Sequence, residues 1–153
     1  MIRTLLIVGL LATTGASEAS ARSLVGKWDC NGRDGKNLAI RMLLDYRQSG
    51  QFYHLANIAM GDRRGRIDGS FVLNGKWFRN HGKLSETVNH ARVRSVKANG
   101  QDISKTPIGR HITRTTPKRM LSGSRPDITN VRFISNNKVT MTSGRMTATC
   151  TKR

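Results

Sequence analysis

The only two cysteines of this 153-residue chain stand near its two ends, and they constrain the fold more than any other feature. Cys30 lies in an early segment, and Cys150 lies three residues before the last residue, Arg153. In an oxidising compartment the two thiols form a disulfide, and the fold must then bring its first and last strands together. That bond would close a loop of more than 100 residues and contribute about 4–5 kcal/mol in the chain-entropy model. Two free thiols are the alternative.

The start of the chain is typical of a secretory signal. Arg3 supplies a positive charge, residues 5–12 are apolar, and residues 19–21 form a small-x-small cleavage site. The apolar run is much shorter than the roughly 20 residues that span a bilayer. We therefore predict a signal segment over residues 1–21, one domain without a transmembrane span over residues 22–153, and a periplasmic or secreted location. An uncleaved N-terminal anchor is the alternative.

Short stretches of period two, separated by turn residues, fill the rest of the chain. Asn-Gly dipeptides occur at residues 74–75 and 99–100, and this dipeptide is a strong signal for a tight hairpin. We predict that the first dipeptide divides a strand over residues 67–73 from another over residues 75–79. We predict that the second ends a long strand over residues 83–97.

No stretch shows a helical period sustained over three turns. Residues 83–97 are the best helical alternative, although their β-branched content favours a strand. Residues 103–114 alternate weakly and are interrupted by Pro107, so we predict an irregular strand there. Residues 115–119 are predicted as a loop and residues 120–122 as a short strand.

Eight to ten short strands with tight turns predict an all-β fold, either an antiparallel barrel or a sandwich. A closed barrel pairs its first and last strands and leaves no exposed edge, which suits a bond between Cys30 and Cys150. A sandwich could also place the two ends side by side. We predict an antiparallel up-and-down β-barrel of about eight strands, with its ends joined by the disulfide.

Two Gly-Lys-Trp tripeptides occur, at residues 26–28 and 75–77, and the second is followed by a turn and Leu84. Between them lies a Tyr46…Gly50-Gln-Phe52 pattern. This layout resembles small bacterial lipocalin-like secreted domains, which begin with a Leu-x-Gly-x-Trp strand. The resemblance covers roughly residues 24–84. It implies an up-and-down β-barrel and no particular ligand.

Trp28 is a packing residue in this interpretation. Leu24, Gly26, Trp28 and Cys30 share one face of a strand because alternate residues do. A large aromatic side chain on the inward face closes one end of a barrel. A Trp28 that contacts a ligand is the alternative.

A formal net charge of +18 is the most unusual property of the composition. Residues 1–21 contain one basic and one acidic residue, so their removal leaves the charge unchanged. Such a field attracts anionic polymers and surfaces, and after export these include lipopolysaccharide phosphates, anionic lipid and acidic polysaccharide. A basic surface that serves only solubility is the alternative. The predicted anion-binding residues, which act as charge-assisted donors, are Arg63, Arg64, Arg66, Arg92, Arg94, Arg110 and Arg114.

Other function classes find less support in the sequence. Single-strand nucleic-acid binders combine basic grooves with stacking aromatics, whereas only 5% of these residues are aromatic. We expect no sequence-specific binding to nucleic acid. The four histidines show no metal-ligand spacing, and His54 is predicted to be neutral and satisfied. We predict no catalytic residues, no metal site and no cofactor. We therefore predict an exported binding protein for an anionic or amphipathic ligand. The alternative is a protein-interaction module, such as a secreted inhibitor or a secretion accessory factor, that presents a loop such as 115–119 or the N-terminal arm.

Overall fold

The computed structural model describes residues 23–35, 37–62, 65–121 and 126–153. The predicted signal segment, Arg63 and Arg64 lie outside the described residues. The strands and the helix are, in chain order, β1 (Gly26–Asp34), β2 (Leu38–Tyr46), β3 (Gln51–Asp62), β4 (Gly65–Asn80), β5 (Lys83–Ala98), β6 (Gln101–Asp102), α1 (Pro107–Leu121), β7 (Asp127–Ser135), β8 (Lys138–Ser143) and β9 (Met146–Lys152).

Eight of the strands form a closed antiparallel barrel. Strands β1 to β5 pair in sequence, β5 continues to β7, β8 and β9 follow, and β9 pairs with β1. The two-residue strand β6 pairs only with the end of β5. The predicted all-β antiparallel barrel is therefore confirmed.

The two ends of the chain meet at the pairing of β1 with β9. Cys30 lies directly opposite Cys150 in the register, and a disulfide joins them. Neither cysteine is a free thiol. The predicted closure of the barrel by its first and last strands is confirmed.

The core fills the barrel around Trp28, which is fully buried. Its indole Nε1 donates a hydrogen bond to the Leu24 carbonyl at 2.7 Å, and its ring meets the edge of the Phe133 ring. The Lys152 ammonium lies 5.4 Å from the ring centroid on the other strand of the closure. Trp28 is a packing residue, as predicted.

The predicted division of residues 67–79 into two strands is wrong, because β4 runs without a break through the Asn74-Gly75 dipeptide. Gly75 instead lies at a β-bulge where β5 carries one extra residue, Asn89. A Cβ atom on Gly75 would collide with the carbonyl of Thr87. Glycine is thus required here for a close approach of two strands and not for a hairpin turn. The second dipeptide, Asn99-Gly100, does turn the chain, with positive φ at both residues.

Residues 107–121 form a helix, so the predicted irregular strand, loop and short strand in this region are wrong. The Thr106 hydroxyl caps the helix by accepting a hydrogen bond from the Gly109 N–H at 3.1 Å. Pro107 occupies the first helical position, which needs no N–H donor. Pro117 lies inside the helix, where proline is ordinarily unfavourable, so it indicated a loop at the sequence level.

The helix α1 packs against β5. Strand β7 pairs with β5 only over residues 83–86, and β6 pairs with it only over residues 97–98. The intervening part of β5 has no strand neighbour on that side among the described residues. In chain order α1 lies between β6 and β7, the two strands that pair there.

We expect Gly109→Ala to destabilise the protein, although the same change ordinarily stabilises a helix by about 1 kcal/mol. The added Cβ would overlap the carbonyl of Ile103, on the segment that leads into the helix. The backbone must shift to accommodate the added atom, and this shift should lower the free energy of unfolding by about 1–3 kcal/mol, as measured by urea denaturation. His111→Ala, on the exposed side of the same helix, is the control and should be neutral or stabilising. A more stable Gly109→Ala variant would contradict the close contact.

Candidate anion-binding site

Two rows of polar and basic side chains cross the outer face of the barrel from β1 to β5. Trp28 and Cys30 point into the core, so Asn31 and Arg33, which alternate with them on β1, point outward. The register continues each row across four further strands. The first row is Asn31, Arg41, Asn57, Ser70 and Ser95, and the second is Arg33, Ala39, Ala59, Asp68 and Lys97.

An open trough of about 1030 Å³ lies over these two rows. Two small outward residues, Ala39 and Ala59, line it beside the polar side chains. Neighbouring strands are about 4.8 Å apart, so five strands give the trough a width of roughly 19 Å. The polar side chains that line it comprise four cations, one carboxylate, two amides and three hydroxyls, which belong to Arg33, Arg41, Arg66, Lys97, Asp68, Asn31, Asn57, Ser70, Ser95 and Thr147.

The trough carries an excess of positive charge. Arg66 pairs with Asp68, the carboxylate of the lining, at 2.8 Å. Arg41 pairs with Asp29, which lies beside the trough, at 3.0 Å, and this guanidinium holds the pKa of the Asp29 carboxyl below its ordinary value. Both pairs are solvent-exposed and contribute little stability. Arg33 and Lys97 make no ion pair within 4 Å among the described residues.

The structure divides the predicted anion-binding residues among different elements. Arg66 lies in the trough, on β4. Arg92 and Arg94 are exposed on β5, where Arg94 is the extra residue of a second bulge. Arg110 and Arg114 are exposed on α1. Arg63 and Arg64 are outside the described residues.

The sequence interpretation missed Arg33, Arg41 and Lys97. Each is a single basic residue at an outward position of a different strand, so none of them forms a cluster along the chain. Their proximity follows from the register of four strand pairs. The one available signal was their alternation with buried residues on the same strands.

A polar cluster lies buried inside the barrel, formed by Tyr46, His54 and Glu86. The Tyr46 hydroxyl donates a hydrogen bond to Glu86 Oε1 at 2.9 Å. His54 Nε2 lies 3.4 Å from the same oxygen, too poorly oriented for a hydrogen bond. The His54 ring stacks on Phe52 at 4.3 Å and meets the Tyr46 ring edge-on.

Burial favours the uncharged form of both titratable partners of this cluster. It raises the pKa of Glu86 from 4.5 to about 7, and the nearby carboxylate of Asp127 adds to that effect. Burial lowers the pKa of His54 from 6.5 to about 3. In mildly acidic solution the pair therefore holds a single titratable proton, on the carboxyl group, because an ion pair would leave two charges in a low-dielectric interior.

A histidine beside a carboxylate is a common catalytic arrangement, but here both side chains are buried in the packed interior. The trough and four smaller cavities of the described chain are lined by other side chains. Within the described residues, no group of three or more His, Cys, Asp or Glu side chains is placed to hold a metal ion. None of the described helices has the length and apolarity needed to cross a membrane.

Comparison with known proteins adds no family to these observations. No protein-family model matches the chain, and no curated protein matches it significantly. The resemblance to lipocalin-like domains thus remains a prediction that rests on the short motifs quoted above. The trough and the net charge of +18 are the features of this chain that bear on its function.

Proposed function

We propose that this protein is an exported, non-enzymatic binding protein for an anionic ligand at the cell envelope, and that the trough on β1 to β5 is its binding site. One observation carries the proposal: four cationic side chains and a single carboxylate line a wide open concavity on a chain with a net charge of +18. Phosphate groups of a glycolipid and carboxylates of an acidic polysaccharide are the ligand chemistry that such a lining fits.

The shape of the trough favours an extended ligand over a single small ion. Arg33 and Lys97 occupy the two ends of one row, roughly 19 Å apart when measured along the curved sheet. Guanidinium groups bind carboxylate and phosphate with paired hydrogen bonds, and the amide and hydroxyl side chains supply further donors between them. The surrounding positive field raises the rate at which an anionic polymer meets this surface.

Two alternatives from the sequence are weakened. The protein-interaction interpretation loses one of its two candidate contact segments, because residues 115–119 belong to α1 and form no loop. The catalytic interpretation required a histidine and a carboxylate in a deep pocket, and His54 and Glu86 lie instead in the packed interior.

The test is calorimetric titration with a hexameric oligogalacturonate at low salt. The variant Arg33→Gln/Arg41→Gln/Lys97→Gln should bind more weakly by on the order of tenfold to a hundredfold, because each exposed charge-assisted contact contributes up to about 1 kcal/mol. The affinity of the unaltered protein should fall steeply as salt is added.

The matched control removes three positive charges elsewhere, by Arg110→Gln/Arg114→Gln/Lys118→Gln on α1. This control variant should keep nearly all of the affinity for the oligosaccharide. Equal losses in the two variants would mean that net charge alone governs binding, and the trough would then be rejected as the site.

A further inference from the structure

The helix α1 presents a second basic surface, separate from the trough. Arg110, Arg114 and Lys118 are spaced four residues apart, so they form one ridge along the helix with about 6 Å of rise between neighbours. All three are exposed, and His111 lies beside them. The described residues that line the trough include none from α1.

The ridge faces away from the barrel. The opposite side of the helix carries the buried Gly109 and the partly buried Ile112, Thr116 and Met120, which recur at the spacing of one helical face. Because α1 packs against β5, this face is turned toward the barrel and the basic ridge toward solvent.

The basic ridge lowers the stability of the helix, and α1 contains no acidic residue that could pair with it. Like charges four residues apart destabilise a helix by a few tenths of a kcal/mol per pair. No acidic residue occurs in Pro107–Leu121, and none of the three ridge cations makes an ion pair with a described residue. Arg110 is only tethered, through a hydrogen bond from Nη1 to the Lys105 carbonyl at 2.6 Å.

Two large apolar side chains on the same helix are also exposed. Ile108, in the first turn, is 64% exposed, and Leu121, at the last position, is 41% exposed. A surface that offers anionic groups together with an adjoining apolar layer would satisfy both kinds of side chain. An anionic lipid bilayer has that composition, since its headgroups attract basic side chains and its interface accepts apolar ones.

We infer that α1 docks this protein on anionic membrane surfaces through Arg110, Arg114 and Lys118, with Leu121 contacting the interface. Leu121 follows Arg114 by seven residues and so lies on the ridge side of the helix, whereas Ile108 lies on a different side. The helix lies flat on the membrane in this arrangement and does not enter it. Docking by α1 does not depend on the trough. The trough can therefore hold a ligand while the helix holds the barrel at the surface.

The experiment is vesicle flotation of the full chain with phosphatidylcholine vesicles that contain 30% phosphatidylglycerol, compared with pure phosphatidylcholine. The protein should float with the anionic vesicles at low salt and dissociate from them as salt is raised. It should not bind the neutral vesicles. Arg110→Gln/Arg114→Gln/Lys118→Gln should lower the partition coefficient by on the order of a hundredfold, at about 1 kcal/mol for each basic residue at the surface. Leu121→Ser, which keeps every charge, should lower it by a smaller factor, and Ile108→Ser, on a different side of the helix, should leave it nearly unchanged.

The matched control is the trough variant Arg33→Gln/Arg41→Gln/Lys97→Gln, which loses the same charge and should float as the unaltered protein does. Helix docking is overturned if the unaltered protein fails to bind anionic vesicles, if the two triple variants lose binding equally, or if the helix variant loses affinity for a DNA duplex and keeps its affinity for vesicles. Thermal unfolding of each variant checks that the barrel is intact.

The two triple variants also separate this inference from the proposed function. Helix docking concerns vesicle binding and the trough concerns oligosaccharide binding, so each variant should impair one assay and spare the other. Failure of oligosaccharide binding alone would remove the trough proposal and leave docking standing. Failure of vesicle binding alone would do the reverse.

Discussion

Loss of the Cys30–Cys150 disulfide is expected to lower the free energy of unfolding by about 5 kcal/mol. The bond joins residues 120 positions apart, and in the chain-entropy model the constraint that such a loop places on the unfolded chain corresponds to about 5 kcal/mol. A domain of this size has roughly 5–15 kcal/mol of stability in total. The variant Cys30→Ala/Cys150→Ala should therefore unfold at a much lower urea concentration, or fail to fold at 37 °C.

Two comparisons isolate the effect of the bond from that of packing. The unaltered protein, unfolded in the presence of a reductant, loses the cross-link and keeps both sulfur atoms, so it should show most of the same loss. Single variants leave one buried thiol and should resemble the reduced protein. A loss below about 1 kcal/mol in the reduced protein would show that the pairing of β1 with β9 closes the barrel without help from the bond.

We expect two variants of the buried cluster, Glu86→Gln and His54→Phe, to have opposite dependences of stability on pH. Between pH 4.5 and 6.5 the folded protein carries one proton on Glu86 and none on His54. The unfolded chain carries one proton on histidine and none on glutamate in the same window. The two states bind equal numbers of protons at this pair, so the cluster makes the unaltered protein's stability nearly independent of pH there.

When either partner is removed, the proton uptake of the other is no longer compensated, and stability then depends on pH. In Glu86→Gln only His54 remains, and its lowered pKa means that stability falls as the pH drops from 6.5, by about 2 kcal/mol at pH 4.5. In His54→Phe only Glu86 remains, and its raised pKa means that stability falls as the pH rises from 4.5, by about 2 kcal/mol at pH 6.5.

The measurement is urea unfolding at several pH values between 4.5 and 6.5, with the disulfide intact. Tyr46→Phe is the control, because it deletes the hydrogen bond to Glu86 and leaves both titrating groups in place. That variant should be less stable at every pH and keep a nearly flat profile. Parallel profiles for Glu86→Gln and His54→Phe would show that the pair does not hold a single proton in the folded state.

Strand β5 shows how far pattern recognition reaches. Its inward apolar residues, Val88, Ala91, Val93 and Val96, are separated by three, two and three positions, which suits neither a regular strand nor a helix. The structure reconciles them with two bulges that each add one residue to β5. The irregular spacing indicates that β5 contains bulges, but only its pairing with β4 shows which residues are the extra ones.

The helix α1 illustrates the opposite case. Its sequence contains two prolines, a glycine and three threonines, all of which are poor helix formers in the interior. It forms because Thr106 caps it and because one face packs against β5. Tertiary packing outweighs local propensity here, so no local pattern could have predicted it.

The sequence by itself determined the closure of the barrel, its antiparallel strands and its positive charge. These follow from the positions of two cysteines, from a period of two, and from composition, and each can be read along the chain. Only the tertiary structure decided that Arg33, Arg41 and Lys97 share one trough, that the basic residues of α1 form a separate ridge, and that Glu86 reaches Tyr46 and His54. The physical reason is that these groups lie many residues apart, and strand register and packing, which are set by the whole fold, bring them together.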